Sequence, residues 1–435
     1  MKIMHLCTGF PISFSGGITN YVRSLAIEQS NEGHDVSVVS EIDKKGNDYN
    51  FKYIGYKDFY IKPFSFRSKK CFFAYKRIER IIKKEKPDLI HIHMVLDVDR
   101  RLYKILSKYN IKYIVSLHDY SFLCPRIQMF KNDKLCGKVG PNCAKCATRI
   151  EQTFFTNKIF KILKIDRTKG KEKSPEFLKI YEDNKKTLEN ANLLLPVSKR
   201  VQEIYEESGI NNNYKVMHIG NITANYFKKY KKQKRDKNDK IKLLMLGNFS
   251  KIKGGLEFIK IANALVDSKK FEFYFLGRCT KEEKKSMKDN NIIYKGSYVQ
   301  TDLPKILKGY DLGCVLSIWE DNGPQVVMEL LNNNVPVIGT KMGGIPDFIQ
   351  DSKNGFLYDP YKEKSFNDLI NKLKRISVEE IEEMKSNIKP TITPKEHFDQ
   401  INQVYNDVIG GKYEKVWLFN SRIWFIWRNM CKFTY

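Results

Sequence analysis

Two segments in the second half of the chain combine residue types that bind phosphate. Residues 247–255 follow an apolar run and hold glycines beside two lysines, so Lys253 could neutralise a phosphate while the glycine backbone approaches it closely. The second segment begins with Asp321 and a polar loop before Pro324, which favours the first turn of a helix, and a helix N-terminus attracts anions. Glu329 follows inside that helix, so the two carboxylates could contact two parts of one elongated ligand.

Each of these features also has a purely structural interpretation. Residues 247–255 could form an ordinary surface loop, Asp321 could cap the helix, and Glu329 could be solvated. The adjacent Gly16 and Gly17 could form a phosphate-binding loop or a plain turn, since their spacing is not that of a dinucleotide-binding fingerprint. The residue types alone leave both interpretations open.

Histidines end two apolar runs of the first half. His118, followed by Asp119, belongs either to a structural hydrogen-bonded pair or to an active site. His91 and His93 alternate with isoleucines, so one could face a cleft while the other is packed. The alternation does not show which of His91 and His93 faces the cleft.

Two patterns raise the question of a metal. Residues 97–99 match the Asp-x-Asp signature of metal-dependent transferases, but so short a match arises easily by chance, and we predict no metal there. Four cysteines within 23 residues end in Cys-x-x-Cys, a spacing typical of zinc ligands, although the first pair is widely spaced. They either hold a structural zinc ion or remain free or redox-active thiols: Cys124, Cys136, Cys143 and Cys146.

Short apolar runs alternate with helical patterns along most of the chain. Continuous β-branched runs such as residues 36–39 are typical of strands buried on both faces of a parallel sheet, and their alternation with helices indicates βαβ units. The predicted strands cover residues 2–8, 35–40, 88–93, 112–117, 192–197, 241–246, 271–276, 312–317 and 335–340.

A charged run divides the chain. Residues 228–240 contain no aliphatic side chain and are predicted to be a solvated linker, and a buried run starts directly after them. We therefore predict an α/β fold of two Rossmann-like, doubly wound parallel-sheet domains with a cleft between them. The units are residues 1–225 (with a Cys-rich insert at 124–146 and a basic segment at 154–173), a linker at 226–240, a second domain at 241–400, and a C-terminal helix or aromatic basic tail at 401–435.

Composition excludes several classes of protein. The 42% of hydrophobic residues in 435 exclude wholesale disorder. No run approaches the roughly 18 apolar residues of a membrane span, and the N-terminus does not read as a signal peptide, so we expect a cytoplasmic chain. The net charge of +27 indicates a polyanionic neighbour, although compositional drift towards lysine is an alternative cause.

The basic excess is accompanied by aromatic residues at 154–173, at 64–73 and in the tail from residue 412. Such segments suit the anionic inner face of the plasma membrane, and we predict peripheral docking there. The alternatives are a core-packed helix with solvated lysines for the first segment and packing on the first domain for the tail. No nucleic-acid-binding motif is present, so we predict no nucleic-acid partner.

The order and spacing of these motifs resemble the GT-B-fold glycosyltransferases, specifically the retaining family 4 (group 1), over roughly residues 1–400. The resemblance rests on Gly16-Gly17, Pro87-Asp88-Leu89-Ile90-His91-Ile92-His93, His118-Asp119, the glycine–lysine loop at 247–254, the pair Asp321 and Glu329, and Gly343-Gly344-Ile345-Pro346-Asp347. It implies that His118 and Asp321 act at the transferred sugar. It implies a donor site of Gly16, Gly17, Asn248, Lys253, Gly323 and Glu329, with Lys253 on the pyrophosphate and Glu329 on the ribose.

The chain departs from the family pattern at three positions. Asp321 stands where the family usually has glutamate, Asn248 where it often has a basic residue, and Asp347 where it has glutamate. The shorter Asp321 could alter donor choice, and Asn248 leaves Lys253 with less help on the pyrophosphate.

The resemblance implies a retaining hexosyltransferase that moves a sugar from a UDP- or GDP-sugar to a glycan or lipid-linked acceptor, in surface polysaccharide or glycolipid biosynthesis. Front-face attack by the acceptor hydroxyl needs no metal and no cofactor for catalysis. The alternatives are another GT-B enzyme, such as a sugar-nucleotide epimerase, or an inactive glycan- or membrane-binding module.

Overall fold

The computed structural model describes residues 1–7, 17–41, 49–56, 68–93, 102–140, 143–144, 146, 174–232, 234, 236 and 239–414. Gly16, residues 97–99, the basic segment 154–173 and the tail beyond residue 414 lie outside this description, so what is predicted for them stays a prediction. The described chain forms two sheets of six parallel strands, which confirms the predicted fold class.

The first sheet is built from β1 Lys2–Leu6, β2 Asp35–Glu41, β3 Lys52–Tyr56, β4 Leu89–Ile92, β5 Lys112–Leu117 and β8 Leu193–Pro196. A separate antiparallel hairpin, β6 Phe130–Lys131 and β7 Lys134–Leu135, lies in the Cys-rich insert. The sheet order is β3-β2-β1-β4-β5-β8, and every residue of β4 and β8 is buried. These apolar strands are covered on both faces, as parallel sheets require.

The second sheet is built from β9 Ile241–Asn248, β10 Phe271–Arg278, β11 Ile292–Tyr294, β12 Leu312–Val315, β13 Val337–Thr340 and β14 Gly355–Tyr358. Its order, β11-β10-β9-β12-β13-β14, repeats the winding of the first sheet. The winding direction reverses between β9 and β12. In open parallel sheets the crevice at the carboxyl ends of such a strand pair is the usual ligand site.

The helices are α1 Gly17–Asn31, α2 Ser68–Glu85, α3 Leu102–Lys108, α4 Ser174–Glu189, α5 Lys199–Glu207, α6 Gly255–Leu265, α7 Lys281–Asp289, α8 Leu303–Ile306, α9 Gln325–Asn332, α10 Glu363–Arg375, α11 Val378–Asn387 and α12 Pro394–Ile409. Local signals begin α7, α11 and α12, where Thr280, Ser377 and Thr393 each form a reciprocal capping box with a glutamate three residues on.

The last described helix, α12, packs on the first domain. Its buried side chains join the core beneath the first sheet: Phe398, Ile401, Val404, Tyr405 and Val408 pack with Ile3, Leu89, Ile114, Leu193 and Leu195. The phenol of Tyr405 also lies 2.7 Å from Nδ1 of the buried His91. The chain therefore crosses from the second domain back to the first before the described part ends.

The second domain contains a buried ionic cluster on Lys385. Its Nζ lies 3.1 Å from Oδ1 of Asp311 and 3.1 Å from Oε1 of Glu382, and all three side chains are less than a tenth exposed. The backbone N–H of Lys242 donates to the other oxygen of Asp311 at 2.9 Å. Removing the lysine would leave two buried carboxylates without their cation.

We expect Lys385→Met to lower the free energy of unfolding by about 3–5 kcal/mol, because one partner of a buried ionic group is lost while the others stay buried. Lys372→Met is the matched control: Lys372 lies 3.0 Å from Asp351, but both side chains are more than 40% exposed. Such a surface pair contributes about 0–1 kcal/mol. Urea unfolding of both variants measures the difference, and equal losses would contradict the burial argument.

Candidate functional site

A cleft of about 280 Å³ opens at the carboxyl ends of β9 and β12, at the reversal of strand order. Four residues of the implied site line it together: Asn248, Lys253, Asp321 and Gly323. The cleft is completed by the ends of the two strands, by Ser317 and by residues 324–326 at the start of α9.

The loop that carries Lys253 is shaped by glycine. Gly254 has φ of +86°, and a Cβ at this position would lie 2.0 Å from the carbonyl oxygen of Leu316. Only a residue without a side chain permits this crossing of two backbones. The crossing places Lys253 directly before α6 and beside the end of the second sheet, so the loop is a specific structure and not an ordinary surface loop.

Lys253 and Asp321 form an ion pair inside the cleft. Lys253 Nζ lies 2.7 Å from Asp321 Oδ2, and the hydroxyl of Ser317 donates to the same oxygen at 2.7 Å. The ammonium also lies 5.2 Å from the ring centroid of Trp319. An ammonium has three donors, so Lys253 can keep its bond to Asp321 and still bind phosphate oxygens.

The N-terminus of α9 faces the same cleft without a side-chain cap. The capping position is Pro324, which makes no capping hydrogen bond, so the interpretation of Asp321 as the helix cap is wrong. The first amide N–H groups of a helix have no partner within the helix. Together with the helix dipole they favour an anion at this end of the cleft.

Glu329 lies about one helical turn beyond Val326 in α9, and it is not among the residues that line the cleft. It is only 5% exposed, so a solvated Glu329 is also wrong. Its Oε1 accepts a hydrogen bond from the side chain of Gln300 at 2.7 Å, whereas its Oε2 is buried without a hydrogen-bond partner. Burial raises the pKa of this carboxyl, and the bond from Gln300 partly offsets the rise. A buried acceptor without a partner is suited to a hydroxyl of a ligand.

Asn248 occupies an exposed position at the end of β9, where the family pattern often has a cation. Arg278 stands directly beside it in the register of β9 and β10 and is also exposed. The other nearby cation, Lys251, is engaged with Asp133 of the first domain at 2.7 Å. Arg278 is therefore placed to replace the missing basic residue.

Glu320, the neighbour of Asp321, connects the cleft to the first domain. Its Oε1 accepts from Arg200 Nε at 3.1 Å, and its Oε2 accepts from the backbone N–H of Gly343 at 2.9 Å. A second bridge is formed by Asp347, which accepts from the backbone N–H of Lys199 at 2.9 Å. Sequence reasoning missed these roles, because Arg200 gives no signal of a partner 120 residues away.

His118 follows β5 in the first domain, and it is buried and not among the residues that line the cleft. β5 pairs with β8 so that Leu117 faces Pro196, which sets His118 beside Val197. A Cβ at Gly323 would lie 3.4 Å from Val197 Cγ2, so His118 and Gly323 both adjoin this valine. Tyr120 follows on the same loop, and burial followed by the charges of Glu320 and Asp321 raises its pKa. The implied catalytic residues thus come from loops that face each other.

Three histidines continue from the site into the first domain. Nε2 of His118 lies 3.3 Å from Nδ1 of His93, and Nε2 of His93 lies 2.9 Å from Nδ1 of His5. Nε2 of His5 lies 2.7 Å from Oε1 of Gln29. Burial lowers the pKa of His5 to about 4, of His118 to about 3, and of His93 well below its usual range. All three rings are therefore neutral near pH 7.

Gly17 is the first residue of α1 and is exposed, and the structure does not bring it into the described cleft.

Among the cysteines, Cys124 and Cys146 are buried, Cys136 is exposed, and Arg126 Nε donates to Cys146 Sγ at 2.9 Å. Burial raises the pKa of Cys124 to about 11, which favours its thiol form. The zinc site stays a prediction.

No helix in the described part of the chain is both long and apolar enough to cross a membrane. Peripheral docking stays a prediction. Of the segments that suggested it, residues 154–173 and the tail beyond residue 414 lie outside the described residues.

Comparisons with known proteins agree with this geometry. The family described as Glycosyltransferase Family 4 matches residues 15–220, and the family described as Glycosyl transferases group 1 matches residues 227–390. A 41.2 kDa protein in the cps region of Klebsiella pneumoniae is 26% identical over 161 residues, which is 36% of this chain and 41% of that protein. The match thus spans less than half of that relative's length.

Solved structures share the fold over nearly the whole chain. HepE of Anabaena in complex with UDP has a TM-score of 0.61 at 14% identity and covers 94% of this chain and 100% of its own. Sucrose-phosphate synthase of Thermosynechococcus elongatus has a TM-score of 0.62 at 14% identity, with the same coverage. The lipopolysaccharide outer core galactosyltransferase WaaB has a TM-score of 0.61 at 14% identity and covers 95% of this chain and 100% of its own. At such identities the likeness is one of fold.

The two family matches, which together span most of the sequence, show that the chain belongs to the group 1, family 4 glycosyltransferases.

Proposed function

We propose that this protein transfers a sugar from a UDP- or GDP-sugar to a hydroxyl of a glycan or lipid-linked acceptor, with retention of anomeric configuration and without a metal. The observation that carries the proposal is the shared cleft, in which Lys253 and Asp321 face the uncapped N-terminus of α9 while Glu329 lies one turn below. A cation, a helix terminus and a buried acceptor in this order match the diphosphate and ribose of a nucleotide sugar.

The diphosphate end of the donor is assigned to Lys253 and α9. Negative charge grows on the leaving diphosphate as the bond to the sugar breaks, and donors already aimed at that position stabilise it. Lys253, the amides of α9 and the neighbouring Arg278 supply positive charge without a metal ion.

The ribose is assigned to Glu329 and the sugar to Asp321 and His118. The unpartnered Oε2 of Glu329 accepts from a ribose hydroxyl, and Asp321, held by Lys253 and Ser317, accepts from a sugar hydroxyl. The acceptor oxygen bonds to the anomeric carbon from the face that the diphosphate leaves. The carbon–oxygen bond to the diphosphate breaks, and the acceptor's proton passes to the leaving phosphate oxygen.

The relatives support the class of donor and the pathway. HepE is described in complexes with UDP and with UDP-glucose, which favours a uridine donor here. The Klebsiella relative lies in the cps region, and WaaB is a galactosyltransferase of the lipopolysaccharide outer core. We therefore place the reaction in the synthesis of a surface polysaccharide or glycolipid.

The decisive experiment incubates the purified protein with UDP-, GDP- and ADP-sugars and a panel of glycan and lipid-linked acceptors in the presence of EDTA. We expect transfer from one nucleotide class, with NMR showing the donor's anomeric configuration in the product.

Lys253→Met should lower kcat by about 10²–10³-fold, the cost of removing one donor from an oxyanion site. Lys251→Met is the control, since Lys251 is exposed and paired with Asp133.

Isomerised or hydrolysed donor without transfer would identify a different GT-B enzyme, and the absence of both donor binding and turnover would identify an inactive module. An inverted product would refute retention. Loss of activity in EDTA that Mg²⁺ or Mn²⁺ restores would refute metal independence.

Glu329→Gln keeps the shape of the side chain and removes its charge. We expect it to weaken UDP binding by about 10-fold or more, since a hydrogen bond to a charged group contributes about 1.5–3 kcal/mol. Calorimetric titration with UDP and with its 2′,3′-dideoxy analogue measures this. The analogue should bind wild type and variant alike, and an equal loss for both ligands would show that Glu329 does not bind the ribose.

Because the pKa of Glu329 is raised, UDP affinity should also fall as the pH drops through that raised pKa and the carboxyl becomes protonated.

We further propose docking of the first domain on an anionic membrane. In α2 the exposed Lys76, Arg80, Lys83 and Lys84 follow one another at helical spacing along one face. Replacing these four by glutamine should abolish flotation with phosphatidylglycerol vesicles at physiological salt. Replacing four exposed lysines of α7 (Lys281, Lys284, Lys285 and Lys288) is the control with equal charge loss. Equal flotation of both variants would argue against a specific face.

A further inference from the structure

The row of histidines behind the site has a defined direction of hydrogen bonding. Oε1 of Gln29 is placed 2.7 Å from Nε2 of His5, and in this orientation of the amide the carbonyl can only accept. His5 therefore carries its proton on Nε2, and its Nδ1 accepts from Nε2–H of His93 at 2.9 Å. Nδ1 of His93 then accepts from Nε2–H of His118 at 3.3 Å. Each neutral ring is thus held with its proton on Nε2.

The row ends in an acceptor that has no partner. Nδ1 of His118 is buried and makes no hydrogen bond with any described residue. In a neutral ring protonated on Nε2, this nitrogen carries a lone pair. A buried polar atom without a partner needs an explanation, and a ligand that is absent from the free protein is one.

Neighbouring rings keep the row in place. His91 stacks on His93 with ring centroids 3.8 Å apart, and its two nitrogens lie 2.7 Å from the Tyr405 hydroxyl and 2.8 Å from the Ser116 hydroxyl. Tyr21 packs edge-on against His118 with centroids 5.1 Å apart. Rotation of His93 or His118 would break contacts on several sides at once.

We propose that Gln29, His5 and His93 are positioning residues that fix His118 with its proton on Nε2, so that its Nδ1 accepts a hydrogen bond from a hydroxyl of the sugar or of the acceptor. The inference rests on the proposed function for the identity of that hydroxyl. A neutral ring with an open lone pair also suits a sugar that gains positive charge in the transition state, as glycosyl groups do. An imidazolium in this place would oppose it.

A metal is the competing explanation. His5, His91 and His93 each offer a ring nitrogen within 4.8 Å of the others, a spacing that could hold an ion. The structure favours the hydrogen-bonded row, because both nitrogens of His5, His91 and His93 already have hydrogen-bond partners inside the protein. A metal would have to break at least one of these bonds on each ring.

The first test is long-range ¹H–¹⁵N NMR of the ¹⁵N-histidine-labelled full chain, assigned with His118→Asn and with His34→Gln as a histidine outside the row. We expect pyrrole-like Nε2 and pyridine-like Nδ1 signals for His5, His93 and His118. In His93→Leu, the His118 signals should move towards a mixture of tautomers, whereas His93→Gln, which can accept and donate at once, should keep them. A proton on Nδ1 of His118 in the wild-type protein, or a stoichiometric metal that is lost in His91→Gln, would overturn the proposal.

The second test is kinetic. His93→Leu should lower kcat at least about 10-fold with little change in the donor KM, in the direction expected when a catalytic imidazole loses the partner that fixes its tautomer. His93→Gln should restore most of kcat. Equal kcat in the two variants, or a loss confined to KM, would reduce His93 to a packing residue. If no donor is turned over, the proposed function fails, and the NMR measurement on the free protein still decides whether the row fixes His118.

Discussion

The cleft in the second domain depends on two places where backbones of that domain cross within contact distance. At Gly254 a Cβ would lie 2.0 Å from the Leu316 carbonyl oxygen, and at Gly343 a Cβ would lie 2.1 Å from the Asp321 carbonyl oxygen. Both glycines have positive φ. Because no side chain fits at either crossing, three separate loops meet at the end of one sheet, and their polar groups converge on one small volume.

This convergence explains how the cleft can hold opposite charges without a ligand. The side chain of Lys253 is 38% exposed, and its ammonium faces a carboxylate inside the cleft. Asp321 compensates it at 2.7 Å, and Ser317 fixes the carboxylate that does so. Under the proposed function, an incoming diphosphate meets a lysine that is already oriented and has hydrogen-bond donors left over, and this orientation would lower the entropy lost on binding.

Much of the fold could be predicted from the sequence, because the central strands of parallel sheets are buried on both faces and read as continuous apolar runs. Each predicted strand corresponds to an observed one. The strands that were missed in the two large sheets, β3, β11 and β14, all lie at sheet edges. In β3 the exposed Lys52 interrupts the apolar pattern, and β11 spans only three residues, whereas the edge strand β8 is buried throughout and was predicted.

The site was predictable only where residue type itself carries the chemistry, as for Lys253, Asp321 and Glu329. The partners that tune these residues give no such signal. Gln300 is an ordinary exposed residue in sequence terms, yet it supplies the hydrogen bond to Glu329 across 29 positions. The row from His118 to Gln29 needs the pairing of β1 with β4 and of β4 with β5, which composition and spacing cannot reveal.

The two domains are coupled at the residue next to the sugar site. Glu320 is held by Arg200 of the first domain and by the backbone of Gly343 in the second, while Asp321 holds Lys253 in the cleft. Domains joined by few contacts rotate against each other as a default. A rotation that stretches the bridge to Arg200 would act on Asp321 through a single peptide unit. Adjacent carboxylates on one loop therefore serve both the bridge between the domains and the ion pair in the cleft.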